Sequence, residues 1–208
     1  MRKNDQFTLK LVQTAVLSGI VILMSLTPLG YLRIGLLSIS LLTIPVVIGA
    51  MIVGPVPGLI LGAVFGFTSF AQCFGMDAFG TTLMNVSPVR TFLMCVPTRA
   101  LMGYLSGLIF RTLKKIDKTK TVCYFATGLS GALLNTVLFM GVLILCFWHT
   151  DYIQSIAAGL GGRTVLAFLV GMVGLNGIVE MIVCAIVGGG VAKILSRVIK
   201  HSSDGEYV

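Results

Sequence analysis

The chain has 208 residues, of which 56% are hydrophobic and only 11% charged, and its mean hydropathy is +1.01. This balance excludes an ordinary soluble domain and places the chain in a lipid bilayer. The net charge of +8 does not indicate nucleic-acid binding, because the basic residues lie at the ends of apolar segments rather than on one aromatic-rich face. We predict one integral membrane domain over residues 1–200 and a cytoplasmic tail over 201–208.

Six apolar segments are predicted to form the membrane helices of an all-α protein. About 20 residues are needed to cross about 30 Å of hydrocarbon, and the second segment is short for that task. The first segment is expected to be retained rather than cleaved as a signal peptide, because it is long and no small-residue cleavage pattern follows it. The predicted helices cover residues 8–28, 43–54, 56–74, 90–113, 121–148 and 164–195.

The sequence "GPVPGLILGAVFG" is predicted to turn the chain between the second and third helices. Gly54 ends the second helix, and Pro55 and Pro57 occupy positions at which a missing backbone donor costs little. The third helix then carries glycines at every fourth position, so they share one face and allow another helix to approach closely. These glycines are Gly58, Gly62 and Gly66.

The basic residues predict the orientation of the helices. Six spans put the N-terminus, the connection between helices four and five, and the C-terminus on one side, which the positive-inside rule assigns to the cytoplasm. Eleven of the fifteen basic residues lie in these three places: Arg2, Lys3, Lys10, Arg111, Lys114, Lys115, Lys118, Lys120, Lys193, Arg197 and Lys200.

The loops on the opposite, outward side are long and partly apolar. Residues 30–40 are expected to form a short extended lid, and residues 72–90 mix polar and aromatic side chains. We predict that these loops cap a ligand cavity. The alternative is that they only plug the helix bundle.

Four polar residues within the predicted spans are candidates for ligand contact, because such groups are costly at membrane depth. Asn176 and Glu180 are four residues apart and share a helix face. In the alternative interpretation, Arg99 and Glu180 neutralise each other and the asparagines only link helices. The four residues are Arg99, Asn135, Asn176 and Glu180.

The sequence offers little support for catalysis or for a metal or cofactor site. The five cysteines show no CxxC spacing, and no HExxH, GxSxG or phosphate-loop motif is present. We therefore predict no catalytic residue, no metal ligand and no cofactor. The cysteines are interpreted as small packing residues.

Four segments in order resemble the substrate-binding S components of energy-coupling factor (ECF) vitamin transporters: "IPVVIGAMIVGPVPGLILGAVFG", "VPTRALMGYLSGLIFR", "GLSGALLNTVLFMGVLIL" and "GLNGIVEMIVCAIVGGGVAKIL". The resemblance covers most of residues 11–197. It implies a six-helix protein of the bacterial cell membrane with both termini inside, which binds a water-soluble vitamin and uses no energy itself. It also implies docking onto a membrane coupling subunit that carries two cytoplasmic ATPases, and toppling within the bilayer to release the vitamin inward.

Ala15 and Gly19 match the small-residue pair with which helix one of this family meets the coupling subunit, although glycine replaces the second alanine. The alternative for this pair is contact with a helix of the same chain.

The stretch "LLSISLLTIPVVIGA" is more similar to the pantothenate-type branch than to the riboflavin-type branch, which usually carries an acidic residue shortly before the proline. A carboxylate ligand also suits Arg99, which can bind it through two parallel hydrogen bonds. Further candidate contacts to the vitamin are Asn135, Asn176, Glu180, Gln72 and Asn85. The alternatives are riboflavin or a pyridoxine-like vitamin in the same family, and a membrane enzyme or an autonomous channel outside it.

Overall fold

The computed structural model describes residues 3–27, 30–34, 37–117, 119, 121–159 and 164–204, with side chains for 7–27, 30, 40–117, 119, 121–159, 164–174 and 177–198. Its elements are α1 (Lys3–Leu26), β1 (Tyr31–Ile34), β2 (Leu37–Ser40), α2 (Thr43–Ile52), α3 (Pro55–Gln72), α4 (Ala78–Val86), α5 (Pro88–Ile116), α6 (Val122–Phe147), α7 (Asp151–Gly159), α8 (Val165–Val183), a π-helix (Cys184–Gly188) and α9 (Gly189–Asp204). The described chain is therefore helical apart from one two-stranded hairpin.

Five helical segments of the described chain are long and apolar enough to cross a membrane: Phe7–Leu26, Pro55–Gln72, Pro88–Ile116, Val122–Phe147 and Gly177–Val198. They confirm a multi-pass membrane protein. Helix α2 is apolar but has only ten residues. It is therefore about 15 Å long, about half the thickness of the hydrocarbon core. A sixth full crossing and the orientation of the termini remain predictions.

The outward loops contain more regular structure than expected. The extended conformation predicted for residues 30–40 is confirmed by the antiparallel pairing of β1 with β2. In contrast, the segment predicted as a loop over 72–90 contains α4, whose first turn is capped by the Asp77 carboxylate accepting from the Gly80 amide at 2.7 Å. Helix α5 then starts at Pro88, because a proline at a helix N-terminus loses no hydrogen bond.

The last predicted helix, 164–195, follows one path that is interrupted twice. Gly174 has φ of 17° and ψ of −128°, which breaks the helical geometry within α8. The π-helix Cys184–Gly188 then shifts the register before α9 begins. Glu180 therefore lies on a short helical piece between two irregular points.

Helices α3 and α5 touch backbone to backbone, as the glycine spacing predicted. A methyl group added at Gly62 would lie 2.2 Å from the Arg99 carbonyl oxygen, and one added at Gly103 would lie 2.0 Å from the Gly58 carbonyl oxygen. Small residues on both helices thus permit a close approach that no larger side chain would allow. This contact fixes the turn of α5 from which Arg99 projects.

The connection between α5 and α6 is organised by Asp117. Its carboxylate accepts hydrogen bonds from the Thr119 hydroxyl at 2.7 Å, the Cys123 amide at 2.8 Å, the Thr119 amide at 2.9 Å and the Thr121 amide at 3.0 Å. These bonds, that of the Thr119 hydroxyl foremost, hold the pKa of Asp117 well below its ordinary value. The carboxylate therefore stays charged at the positive N-terminal end of α6.

Two apolar clusters form the core. One is centred on α2 and α3, and includes Val46, Phe65 and Met102. The other is formed in part by α4, α6 and α7, and includes Leu83, Phe147 and Ile153. Polar side chains from α5, α6 and α8 lie where these clusters meet.

We predict that Gly62→Ala destabilises the protein, whereas Gly141→Ala on α6 does not, because an added methyl group at Gly141 meets no atom within 4 Å. Overpacking should cost Gly62→Ala about 1 to 3 kcal/mol relative to its matched control. Alanine is the better helix former, so the control should equal or exceed the wild type in stability. The measurement is the thermal unfolding midpoint in detergent. Equal midpoints for the two variants would contradict a rigid contact between α3 and α5.

Candidate ligand-binding site

Arg99 is buried between two aromatic rings. Its side chain is 7% exposed, and the guanidinium carbon lies 4.7 Å from the centre of the Phe65 ring and 5.1 Å from that of Phe139. Phe65 belongs to the apolar cluster centred on α2 and α3, and Phe139 packs against the cluster that contains residues of α4 and α7. The two ring faces stabilise the positive charge without neutralising it.

The hydrogen-bonding capacity of Arg99 is only partly used. One terminal nitrogen, Nη1, donates to the carbonyl oxygen of Cys95 at 3.3 Å, one turn earlier on α5. The buried Nε has no hydrogen-bond partner. An arginine has five N–H donors, so this side chain retains donors for an anionic group.

Glu180 links three helices through one carboxylate oxygen. Its Oε1 accepts from the Thr43 hydroxyl at 2.9 Å and from the Asn135 amide at 3.1 Å. The carboxylate is almost fully buried, with 8% of the residue exposed. Helices α2, α6 and α8 are thereby joined at one point.

Ser40, the last residue of β2, brings the hairpin to the same place. Its backbone amide faces the Glu180 carboxylate. The residue is 7% exposed, and its hydroxyl oxygen is buried without a partner. We call Ser40, Thr43, Arg99, Asn135 and Glu180 the polar cluster.

The direct pairing of Arg99 with Glu180, considered above as an alternative, is not formed. Among the side chains that the structure describes, neither an ion pair nor a hydrogen bond joins the two residues. Their charges are nevertheless close enough to interact electrostatically. Glu180 is therefore held by neutral donors, and the Arg99 charge is left for another partner.

The other predicted contacts are distributed differently. The Gln72 amide donates to the Ser25 carbonyl oxygen at 2.8 Å and so ties α3 to α1. Asn85 is exposed on α4. The side chain of Asn176 lies outside the described residues.

Four members of the site were not predicted as contacts: Ser40, Thr43, Phe65 and Phe139. Phe139 follows Asn135 by four residues, so the helical spacing already placed both on one face of α6. No such signal links Phe65 to Arg99, because the pairing depends on the register of α3 against α5. Ser40 and Thr43 lie in the stretch "LLSISLLTIPVVIGA", where the riboflavin-type branch usually carries an acidic residue, and this comparison gave them no role in binding.

All five cysteines are free thiols, and four of them are buried in the core. Within the described ranges, no three residues of the types His, Cys, Asp and Glu come together to ligate a metal ion. The polar cluster instead combines one cation, one carboxylate and neutral hydroxyl and amide groups, which is a set suited to a small polar organic molecule.

A family model described as "ECF transporter, substrate-specific component" matches residues 9–188. The chain belongs to this family. The Pantothenate transporter PanT of Leuconostoc mesenteroides subsp. mesenteroides is 26% identical over 202 residues, which cover 92% of this chain and 94% of that protein. These matches confirm the resemblance inferred from the sequence.

The chain is thus an S component, the substrate-binding subunit of a transporter rather than an enzyme. Its polar cluster unites residues from β2, α2, α5, α6 and α8. A binding site assembled from so many elements depends on their relative positions. Removing one hydrogen bond between them should therefore lower the stability of the whole fold.

We predict that Thr43→Val destabilises the S component by about 1 to 2 kcal/mol, because a buried carboxylate loses one of its two side-chain donors. Thr127→Val is the matched control. The Thr127 side chain is equally buried, but its hydroxyl donates to the Cys123 carbonyl oxygen of its own helix. Thermal unfolding midpoints in detergent compare the two variants. A loss for Thr43→Val no larger than that of the control would show that Glu180 does not need Thr43.

Proposed function

We propose that this S component is the high-affinity binding subunit for pantothenate uptake, working with an ATP-driven ECF module. The observation that carries the proposal is the buried, unneutralised Arg99 with a free donor at Nε. Pantothenate carries a carboxylate at one end, and the PanT relative is named as a pantothenate transporter. The charge of Arg99 and the name of the relative therefore both support pantothenate as the vitamin.

A carboxylate matches Arg99 in both charge and shape. The planar guanidinium can bind two carboxylate oxygens in parallel, and the bond is stronger in a site from which water is excluded. The flanking rings of Phe65 and Phe139 hold the plane of the guanidinium in place. A vitamin without an anionic group would leave this buried charge unpaired, which is costly.

Asn135, Asn176 and Glu180 are proposed to contact the amide and hydroxyl groups of the vitamin. Asn135 and Glu180 support this role by lying together in the polar cluster, and Asn176 by its position one helical turn before Glu180. Gln72 and Asn85 are left out of the proposed set. The Gln72 amide is already engaged by Ser25, and Asn85 is exposed on α4.

We further propose six membrane-inserted helices, α2 included, with both termini in the cytoplasm. Exposed basic side chains support this orientation, because they lie near the start of α1, at the end of α5 and within α9. They are Lys10, Lys114, Lys115 and Arg197. The capping of the site by the outward hairpin belongs to the same proposal.

The coupling subunit of the ECF module is proposed to dock on α1 at Ala15 and Gly19. Ala15 is exposed, and a methyl group added at Gly19 would meet no atom of this chain within 4 Å. The alternative, contact with another helix of the same chain, therefore has no support at Gly19. Open small residues on a membrane helix permit close approach of a partner helix.

We predict that Arg99→Ala weakens pantothenate binding by about 2 to 5 kcal/mol, the cost of removing a buried charged partner. Arg90→Ala, which removes an exposed cation from the same helix, should leave the affinity unchanged. Pantothenol, which lacks the carboxylate, should bind weakly to the wild type and be little affected by Arg99→Ala. The measurement is isothermal titration of the detergent-purified protein, after native mass spectrometry has identified any co-purifying vitamin.

The outcomes of this experiment decide which vitamin is bound and whether Arg99 contacts it. Pantothenate recovered at about one molecule per chain, with the expected pattern of variants, supports the proposal. A flavin or a pyridoxine-like compound would retain the transporter family but overturn the substrate. Equal binding of pantothenate by Arg99→Ala and the wild type would remove Arg99 from the site.

We predict that Gly19→Leu abolishes uptake but retains pantothenate binding, because the added side chain blocks docking and not the site. Gly141→Leu is the matched control, since Gly141 is likewise open, but on α6. Uptake of labelled pantothenate is measured in cells that express the ECF module, with binding measured on the purified variants. Loss of binding by Gly19→Leu would instead indicate that Gly19 packs within the chain.

A further inference from the structure

Two buried side-chain polar atoms in the described part of the S component have no hydrogen-bond partner: Arg99 Nε and Ser40 Oγ. Both belong to the polar cluster around Glu180, although they come from α5 and from β2. An unpaired buried polar group is costly, so native proteins retain few of them. Two in one cluster indicate that something outside the chain completes it.

Nothing within the cluster is well placed to satisfy Ser40. The nearby Glu180 Oε1 accepts from Thr43 and from Asn135, and no donor or acceptor of the cluster forms a hydrogen bond with Ser40 Oγ. The Ser40 hydroxyl can donate and accept, which is the property needed to bind a hydroxyl group.

We propose that Ser40 is a specificity-determining residue that binds a ligand hydroxyl, while Arg99 binds the carboxylate at the other end of the same ligand. The site would thus select hydroxy acids whose two polar ends are separated by a linker. This inference rests on the proposed function and adds an orientation. The pantoyl hydroxyls lie at Ser40 beside Glu180, and the β-alanine carboxylate lies at Arg99.

The position of Ser40 gives this contact a second effect. Ser40 pairs with Tyr31 at the open end of the hairpin, directly before the turn into α2. A ligand hydroxyl bonded to Ser40 therefore joins the hairpin to the polar cluster. The hairpin becomes part of the binding site and not only its cover.

The test compares three ligands and three proteins by isothermal titration. The ligands are pantothenate, its dideoxy analogue, in which hydrogen replaces both pantoyl hydroxyls, and pantothenol, which lacks the carboxylate. The proteins are the wild type, Ser40→Ala and the control Ser106→Ala. Ser106 is also buried, but its hydroxyl donates to the Met102 carbonyl oxygen of its own helix at 2.8 Å. Ser40→Cys replaces Ser40→Ala if the latter does not fold.

We expect Ser40→Ala to weaken pantothenate binding roughly three- to tenfold, the equivalent of one hydrogen bond. The dideoxy analogue should bind Ser40→Ala as well as it binds the wild type, and Ser106→Ala should change neither affinity. Pantothenol retains the hydroxyls, so Ser40→Ala should weaken it by the same factor as pantothenate. A reversed orientation would give the opposite result, with Ser40→Ala sensitive to loss of the carboxylate.

The failure of this inference differs from that of the proposed function. If the wild type binds pantothenate but Ser40→Ala weakens both ligands equally, or neither, Ser40 does not bind a hydroxyl and the inference is overturned. If the wild type binds no pantothenate, the proposed function falls and the orientation falls with it.

Discussion

The backbone contact between α3 and α5 is the constraint on which the site depends. Gly62 lies against the carbonyl of Arg99, so the helix turn that carries the arginine cannot move without opening the interface. The same register places Phe65, one turn along α3, against the guanidinium. In a bilayer, helices gain little from apolar burial against each other, and close packing of small residues supplies the association instead. Here that packing also positions a charge.

The polar cluster shows how a membrane protein keeps a charge available for binding. A protein carboxylate in direct contact with Arg99 would neutralise its charge and occupy the donors needed to bind an anionic ligand. In this S component, Glu180 is instead bonded to Thr43 and Asn135, while Arg99 rests between Phe65 and Phe139. The rings stabilise the cation through their π faces and offer no competing acceptor. The arginine is therefore held in position and still free to bind an anion.

Much of the fold could be predicted from the sequence, because lipid imposes simple rules on length, charge and small residues. The glycines of α3 predicted a close helix contact, and the scarcity of polar residues in the spans drew attention to Arg99, Asn135 and Glu180. The partners of these residues were harder to predict. That Thr43 reaches Glu180, or that Phe65 covers Arg99, depends on how separate helices are rotated and staggered, which no local pattern records. Helix α4 was missed because its apolar residues are interspersed with polar ones at an exposed end of the bundle.

The shortness of α2 has a consequence for where water meets the protein. In the proposed topology, α2 ends at the cytoplasmic turn around Gly54 and is only about 15 Å long, so its first residue lies near mid-membrane and the hairpin before it lies within the hydrocarbon region. Non-helical backbone at that depth is tolerated only where it is buried in protein or lines a wet cavity. Strand pairing satisfies the inner edges of β1 and β2, and at Ser40 the outer edge faces the Glu180 carboxylate. In this topology the hairpin would bring polar backbone groups to membrane depth, where a hydrophilic ligand meets hydrogen-bonding partners instead of lipid.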